Sequence, residues 1–205
     1  MTEHRDGRVI ITTPITDEDV KGLRAGDTFY LSGDMVTGRD DVHERVVREG
    51  LPFPADIKGK ALFHAGPIVK TLDDGSYEII SIGPTTSMRM EKYESDFIEK
   101  TGVKLIIGKG GMGAGTVSAC VKHSAICSAA PAGCSLVCAE GVEEVCGVSW
   151  TELGMPEAVW HFKLKEFGPL TVTIDSEGRN YFEELKSGYK LRAEEQKLRL
   201  LKKLR

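Results

Sequence analysis

Three short stretches bring glycine and positive charge together in this 205-residue chain, one of them with a run of hydroxyls. In Ile82-Gly83-Pro84-Thr85-Thr86-Ser87-Met88-Arg89-Met90 an apolar run ends at Gly-Pro and a helical pattern follows. Three hydroxyls thus fall at a predicted helix N-terminus, where free N–H groups and the positive end of the helix dipole suit a carboxylate or phosphate. Arg89, one turn later, can add a forked, charge-assisted contact. A plain helix cap has the same spelling and needs one hydroxyl only, so these residues alone leave both readings open.

The second stretch, Ile107-Gly108-Lys109-Gly110-Gly111-Met112-Gly113, again joins a predicted strand to a predicted helix. Its glycines satisfy G-x-G-x-x-G, but a dinucleotide site needs an acidic residue about 20 positions on, and none stands near Ala132 and Gly133. A glycine turn that lets backbone N–H groups and Lys109 approach a small anion fits better. The third runs from Gly33 to His43, with Arg39 exposed before Asp40-Asp41 opens a helix and His43 one turn beyond Arg39. Alone, it reads as a capped helix with a surface ion pair, worth under about 1 kcal/mol. Taken together, three strand ends with glycine each lead a cation into a helix. Arg39, Arg89 and Lys109 can converge on one anion that carries more than one carboxylate.

Five cysteines, Cys120, Cys127, Cys134, Cys138 and Cys146, contain no C-x-x-C. Their spacing fits neither zinc-ribbon nor ferredoxin patterns. With small apolar neighbours they read chiefly as packing thiols, and a metal or redox role is the alternative. Their odd number, and the charged N-terminus, suggest a reducing compartment, the cytoplasm. A net charge of −4 argues against nucleic acid as a partner. No apolar run approaches the length of a membrane span.

The elements that must carry these loops are predicted as strands at Val9–Ile11, Thr28–Ser32, Ala61–Ala65, Val103–Ile107, Trp160–Phe167 and Leu170–Asp175. Helices are expected at Asp17–Leu23, Asp40–Glu49, Thr86–Lys100 and Gly113–His123. Ile68–Leu72 and Tyr77–Ile82 flank Asp73-Asp74-Gly75-Ser76 as a hairpin. Periodicity does not resolve the small-residue run Ser124–Gly141. The tail from Tyr181 onward is a charged helix with Leu191, Leu198 and Leu201 on one face, near Ala193 and Leu204. It serves either as a solvated helix or as a subunit contact. The pattern is mixed α/β in one domain, 1–185, with a helical tail, 186–205.

Read in order, Gly38-Arg39-Asp40-Asp41-Val42-His43, the Gly83–Met90 stretch and Gly108–Gly113 resemble the signature of the class I fumarase β subunit and its relative, the L-tartrate dehydratase β subunit. The match continues through Leu153-Gly154-Met155-Pro156-Glu157-Ala158 and Thr173-Ile174-Asp175-Ser176-Glu177-Gly178, covering Val9 to about Leu185. The resemblance implies a swivelling β/β/α domain with a mixed sheet and flanking helices. It also implies an α subunit that binds a [4Fe–4S] cluster, in a heterodimer or α2β2 assembly. This chain would supply no metal ligand and would be inactive alone. By the same resemblance Arg39, Arg89, Lys109 and Thr86 bind the carboxylates of a four-carbon dicarboxylate. Thr85 transfers the proton, and His43 supports from behind. The implied reaction is reversible hydration of fumarate to L-malate, a tricarboxylic acid cycle step. Dehydration of tartrate to oxaloacetate is the near competitor, and a non-catalytic anion-binding module is the alternative from another class.

Overall fold

The computed structural model describes residues 1–203, without the side chains at 191, 195, 198 and 200–203. In chain order the strands and helices are β1 (Thr2–Arg5), β2 (Arg8–Thr12), α1 (Asp17–Lys21), β3 (Thr28–Thr37), α2 (Asp40–Val47), β4 (Ala61–Phe63), β5 (Ile68–Thr71), β6 (Tyr77–Ser81), α3 (Glu91–Thr101), β7 (Leu105–Gly108), α4 (Ala114–His123), β8 (Ile126–Ala129), α5 (Ser135–Glu140), β9 (Val142–Ser149), β10 (Val159–Ile174) and α6 (Tyr181–Lys203). A single 3-10 turn, Ser87–Arg89, precedes α3.

Strands β3, β4, β7 and β8 run parallel in that order, and the long β10 lies antiparallel to both β8 and β3. The five strands therefore close on themselves, which leaves β2–β1 and β9 as flanking additions. Closure requires β10 to bend. It does so through register shifts on either side of Phe167, where Glu166 and Gly168 take positive φ values of 49° and 152°.

Residue alternation along the short parallel strands explains why they read as uninterrupted apolar runs. Phe63, Leu105, Ile107 and Ile126 point into the closed sheet with Phe29, Leu31, Phe162 and Phe167. Leu62, Ile106 and Cys127 point outward, against Val42, Val46, Phe97, Ile98 and Cys120 of α2, α3 and α4. Such strands are covered on both faces, the usual condition of parallel pairing.

The mixed α/β class is as expected, and several elements differ from expectation in their bounds. β3 continues past Ser32 to Thr37, because Gly33 (φ +92°) turns within the strand against Thr13 and does not end it. The helix expected from Thr86 begins only at Glu91. Two expected strands after Trp160 are one bent strand, and the unresolved small-residue run contains β8 and α5. The apolar face proposed for the tail through Leu191, Leu198, Leu201 and Leu204 lies outside the described residues, while Ala193 is exposed. The expected boundary at residue 185 falls inside α6, which begins at Tyr181. Among the described residues no helix is long and apolar enough to cross a membrane.

Candidate functional site

The carboxyl ends of β3, β4 and β7 lie side by side, and each feeds a loop of the site. In parallel α/β folds, open or closed, the carboxyl ends of the strands are where ligands bind. Arg39 follows β3 as the residue before α2, His64 follows β4, and Lys109 follows β7. The hairpin β5–β6 returns the chain to the same edge, where Thr85 N–H donates to the His64 carbonyl (2.7 Å) and Ser87 N–H to the Lys109 carbonyl (3.0 Å). Thr86 and Lys109 form a parallel bridge.

These contacts bring together the loops that carry the predicted cations. The Arg89 guanidinium lies 2.7 Å from Asp40, the residue after Arg39. Arg39 in turn pairs with Glu157 at 3.0 Å and donates to the Pro156 carbonyl at 3.4 Å. Its Nε is buried and has no acceptor. Gly66 is required beside it, since a Cβ there would stand 2.7 Å from Arg39 Nη1 and 2.8 Å from the Pro156 oxygen. Lys109 is exposed, without an ion pair among the described residues. Burial raises the pKa of Glu157, against the lowering effect of Arg39.

Thr85 is half-buried and Thr86 exposed. Thr86 is the residue before the 3-10 turn but gives it no side-chain hydrogen bond. The turn is too short to present a helix end, and α3 starts downstream, so neither hydroxyl serves as a cap for α3.

The glycine stretch departs from the expected amide cradle. Glu91, the first residue of α3, fills the amino end of α4: its carboxylate accepts from the N–H groups of Gly113 (2.7 Å), Gly115 (3.1 Å) and Thr116 (3.3 Å) and from the Thr116 hydroxyl (2.6 Å). That anion site is satisfied from within the chain. Of the expected anion contacts, Lys109 and the turn at Gly110 and Gly111 remain.

His43 does not face the same opening. It is fully buried behind Arg39, accompanied by Glu94 of α3 and His64. His64 Nδ1 lies 3.0 Å from the Ser87 hydroxyl, and a Cβ at Gly108 would overlap that hydroxyl. Ser87 stands among the three hydroxyls of the Gly83–Met90 stretch, whereas Glu94, His64, Glu91 and Glu157 take a place here that the sequence pattern does not assign them. Phe63-His64-Ala65-Gly66-Pro67 is a fourth strand end with glycine, and it could have been weighed with the other three. Glu91 stands among charged residues at the start of α3, whereas Glu94 falls at helical spacing from Met90, Phe97 and Ile98 on the buried face, a charge set in an apolar stripe.

Cluster ligation by this chain is not supported by its thiols. Cys120, Cys127 and Cys138 are buried, Cys134 and Cys146 exposed, and the pair Cys120–Cys127 lies 3.8 Å apart between sheet and helices. The Cys127 thiol is held well above its ordinary pKa by its contact with Cys120 and by burial, and burial pushes Cys138 up to about 11. Thiols held protonated do not suit thiolate ligation. Among the described residues, the one group of three or more His, Cys, Asp or Glu ligand atoms within reach of one another is His43, His64 and Glu94.

Fold and loops together present cationic and hydroxyl side chains at one edge of an α/β scaffold. The family described as Fumarase C-terminus matches residues 1–185, and the chain belongs to that family. It is 53% identical to the L(+)-tartrate dehydratase subunit beta of Escherichia coli (strain K12), over 86% of this chain and 88% of that protein. It is 42% identical to the putative L(+)-tartrate dehydratase subunit beta of Methanocaldococcus jannaschii, over 83% and 89%. A putative fumarate hydratase class I of Geobacillus stearothermophilus is 36% identical over 86% of this chain, which spans only 34% of that longer protein.

Proposed function

We propose that this chain is the β subunit of a hydro-lyase that interconverts fumarate and L-malate, acting with an α subunit in the cytoplasm. Membership of the fumarase family makes it a hydro-lyase subunit. The observation that carries the substrate class is the contiguity of three cation-bearing loops, joined by the Arg89–Asp40 pair and the Thr86–Lys109 bridge, around two threonines that cap no helix.

Arg39, Arg89 and Lys109 are the groups for two carboxylates, with the Thr86 hydroxyl as a further donor. Guanidinium forks suit carboxylates bidentately. Arg39 and Arg89 are each held by an acid, Glu157 and Asp40, so substrate carboxylates share or replace partners already in position. Thr85 transfers the proton at the substrate carbon, and because a hydroxyl is a weak base it needs a basic group supplied by the partner. The implied iron–sulfur cluster is assigned to that partner, a reading supported by the spread of this chain's thiols between buried and exposed positions. The catalytic part of the chain is 1–185, and the tail 186–205 lies outside it.

A second reading, dehydration of L-tartrate to oxaloacetate, is favoured by the two β-subunit relatives, whose names carry that substrate. The test is anaerobic reconstitution with the α subunit and assays on fumarate, malate and tartrate, with the isolated chain as control. Turnover of fumarate and malate above tartrate supports the first reading, and the reverse order selects the second. Turnover of any of them by the isolated chain, or of none by the reconstituted pair, overturns the proposal.

A further inference from the structure

Beneath the loops, His43, Glu94 and His64 are each fully buried. His43 Nε2 lies 3.4 Å and His64 Nε2 3.2 Å from one carboxylate oxygen, Oε2 of Glu94. Neither contact has the alignment of a good hydrogen bond, and these atoms have no other partner. A buried carboxylate facing two bare nitrogen lone pairs would be strongly repelled and left unsatisfied. The protons must therefore be arranged to make the contacts attractive.

The outer nitrogens decide where they sit. His43 Nδ1 is 2.7 Å from the Arg39 carbonyl, which can only accept, so Nδ1 carries a proton. His64 Nδ1 faces the Ser87 hydroxyl, which can donate to it while accepting from the Lys109 N–H at 3.3 Å. We propose that His43 carries protons on both ring nitrogens and His64 on Nε2 alone, so that both donate toward Glu94, and that this buried unit positions the three substrate loops. One bond then ties each loop to it: the Arg39 carbonyl to His43, Ser87 of the threonine turn to His64, and the Lys109 amide to Ser87. The inference rests on the proposed function only in calling these the substrate loops.

The surroundings agree. Burial opposes ionisation of Glu94, but the two histidines outweigh it and lower its pKa to about 2. Burial lowers that of His64 and keeps it neutral, against the pull of Glu94. Phe97 stacks on the His43 ring at 4.4 Å, a favourable neighbour for a cation. The other titratable groups that act on the unit are Asp40 at the start of α2 and Cys127 on β8, whose raised thiol stays uncharged.

Two-bond nitrogen–proton NMR on the full chain, labelled at histidine nitrogen, tests this at pH 7.5. The expected result is an imidazolium pattern for His43 and a single Nε2–H tautomer for His64. In Glu94→Gln, where the neutral amide supplies no counter-charge for a buried imidazolium, His43 should become neutral. In the reconstituted enzyme the same substitution should raise KM about tenfold or more and change kcat less. A neutral His43 in the unmodified chain overturns the proposal, as does a stoichiometric divalent metal on the purified chain that is lost in Glu94→Gln. A reconstituted enzyme inactive on every dicarboxylate, with His43 still doubly protonated, would defeat the functional reading while leaving the proton arrangement standing. If Glu94→Gln does not fold, the spectrum of the unmodified chain still decides.

Discussion

Two strand-to-helix junctions in this protein are spelled alike and built differently. After β7, Gly108 to Gly113 leads into α4, and the amide groups at that helix end are taken by Glu91. After Gly83, Thr85 and Thr86 precede a single 3-10 turn, and their hydroxyls cap nothing. One junction has satisfied its own anion site, while the other leaves polar groups unused. A helix start is an anion site only if the chain has not already filled it. On the proposed reading, the substrate at the Thr85–Thr86 junction meets side-chain cations and hydroxyls, and the amino end of α4 is already taken by Glu91.

The largest effect expected from this contrast is at Thr85. If the hydroxyl transfers a proton, Thr85→Ala should lower kcat of the reconstituted enzyme by roughly 10²–10⁴-fold, the range for a general acid–base group. Its melting temperature should hardly move, because no helix depends on that hydroxyl. Thr86→Ala, one residue on, should act mainly through KM. Equal and small kcat losses at both positions would end the assignment of Thr85.

A smaller effect is expected from the cations. Charge-assisted hydrogen bonds contribute about 1.5–3 kcal/mol each, so Arg39→Ala or Lys109→Ala should lower kcat/KM by roughly 10- to 100-fold. Arg89→Lys should already be harmful, since a point charge does not reproduce a fork. It would also loosen the pairing to Asp40. Near-normal kcat/KM in all three variants would remove the clamp.

How much of this could be read beforehand divides along the same line. Arg39, Arg89 and Lys109 stand out because glycine and charge at strand ends are local signals, and the Arg89–Asp40 pair and the Thr86–Lys109 bridge bring the loops that carry them to one sheet edge. The helix starting at Glu91 was placed too early because Thr86 and Ser87 spell a cap, a signal that the Gly83–Pro84 return to the sheet edge overrides. Glu91, Glu94 and Glu157 were passed over for a different reason. Their partners lie far along the chain, at Gly113, at His43 and His64, and at Arg39, and a carboxylate's role is set by what faces it. His64 sits between these cases, in a glycine-containing strand end that went unweighed.

The smallest effect tests the filled junction itself. Glu91→Ala removes the acceptor for three amides and one hydroxyl at α4. Loss of a helix cap costs about 0.5–2 kcal/mol, and in a protein of this size each kcal/mol moves the melting temperature by about 2–4 °C. The direct catalytic groups remain in this variant, so kcat of the reconstituted enzyme should stay within a few-fold. An emptied helix end should then take an anion from solution. Titrating sulfate should therefore raise the melting temperature of Glu91→Ala more than that of the unmodified chain, beyond what equal ionic strength from chloride achieves. Equal responses to the two salts would mean that α4 offers no anion site even when Glu91 is gone. The contrast between the junctions would then lie in loop shape and not in which one is already occupied.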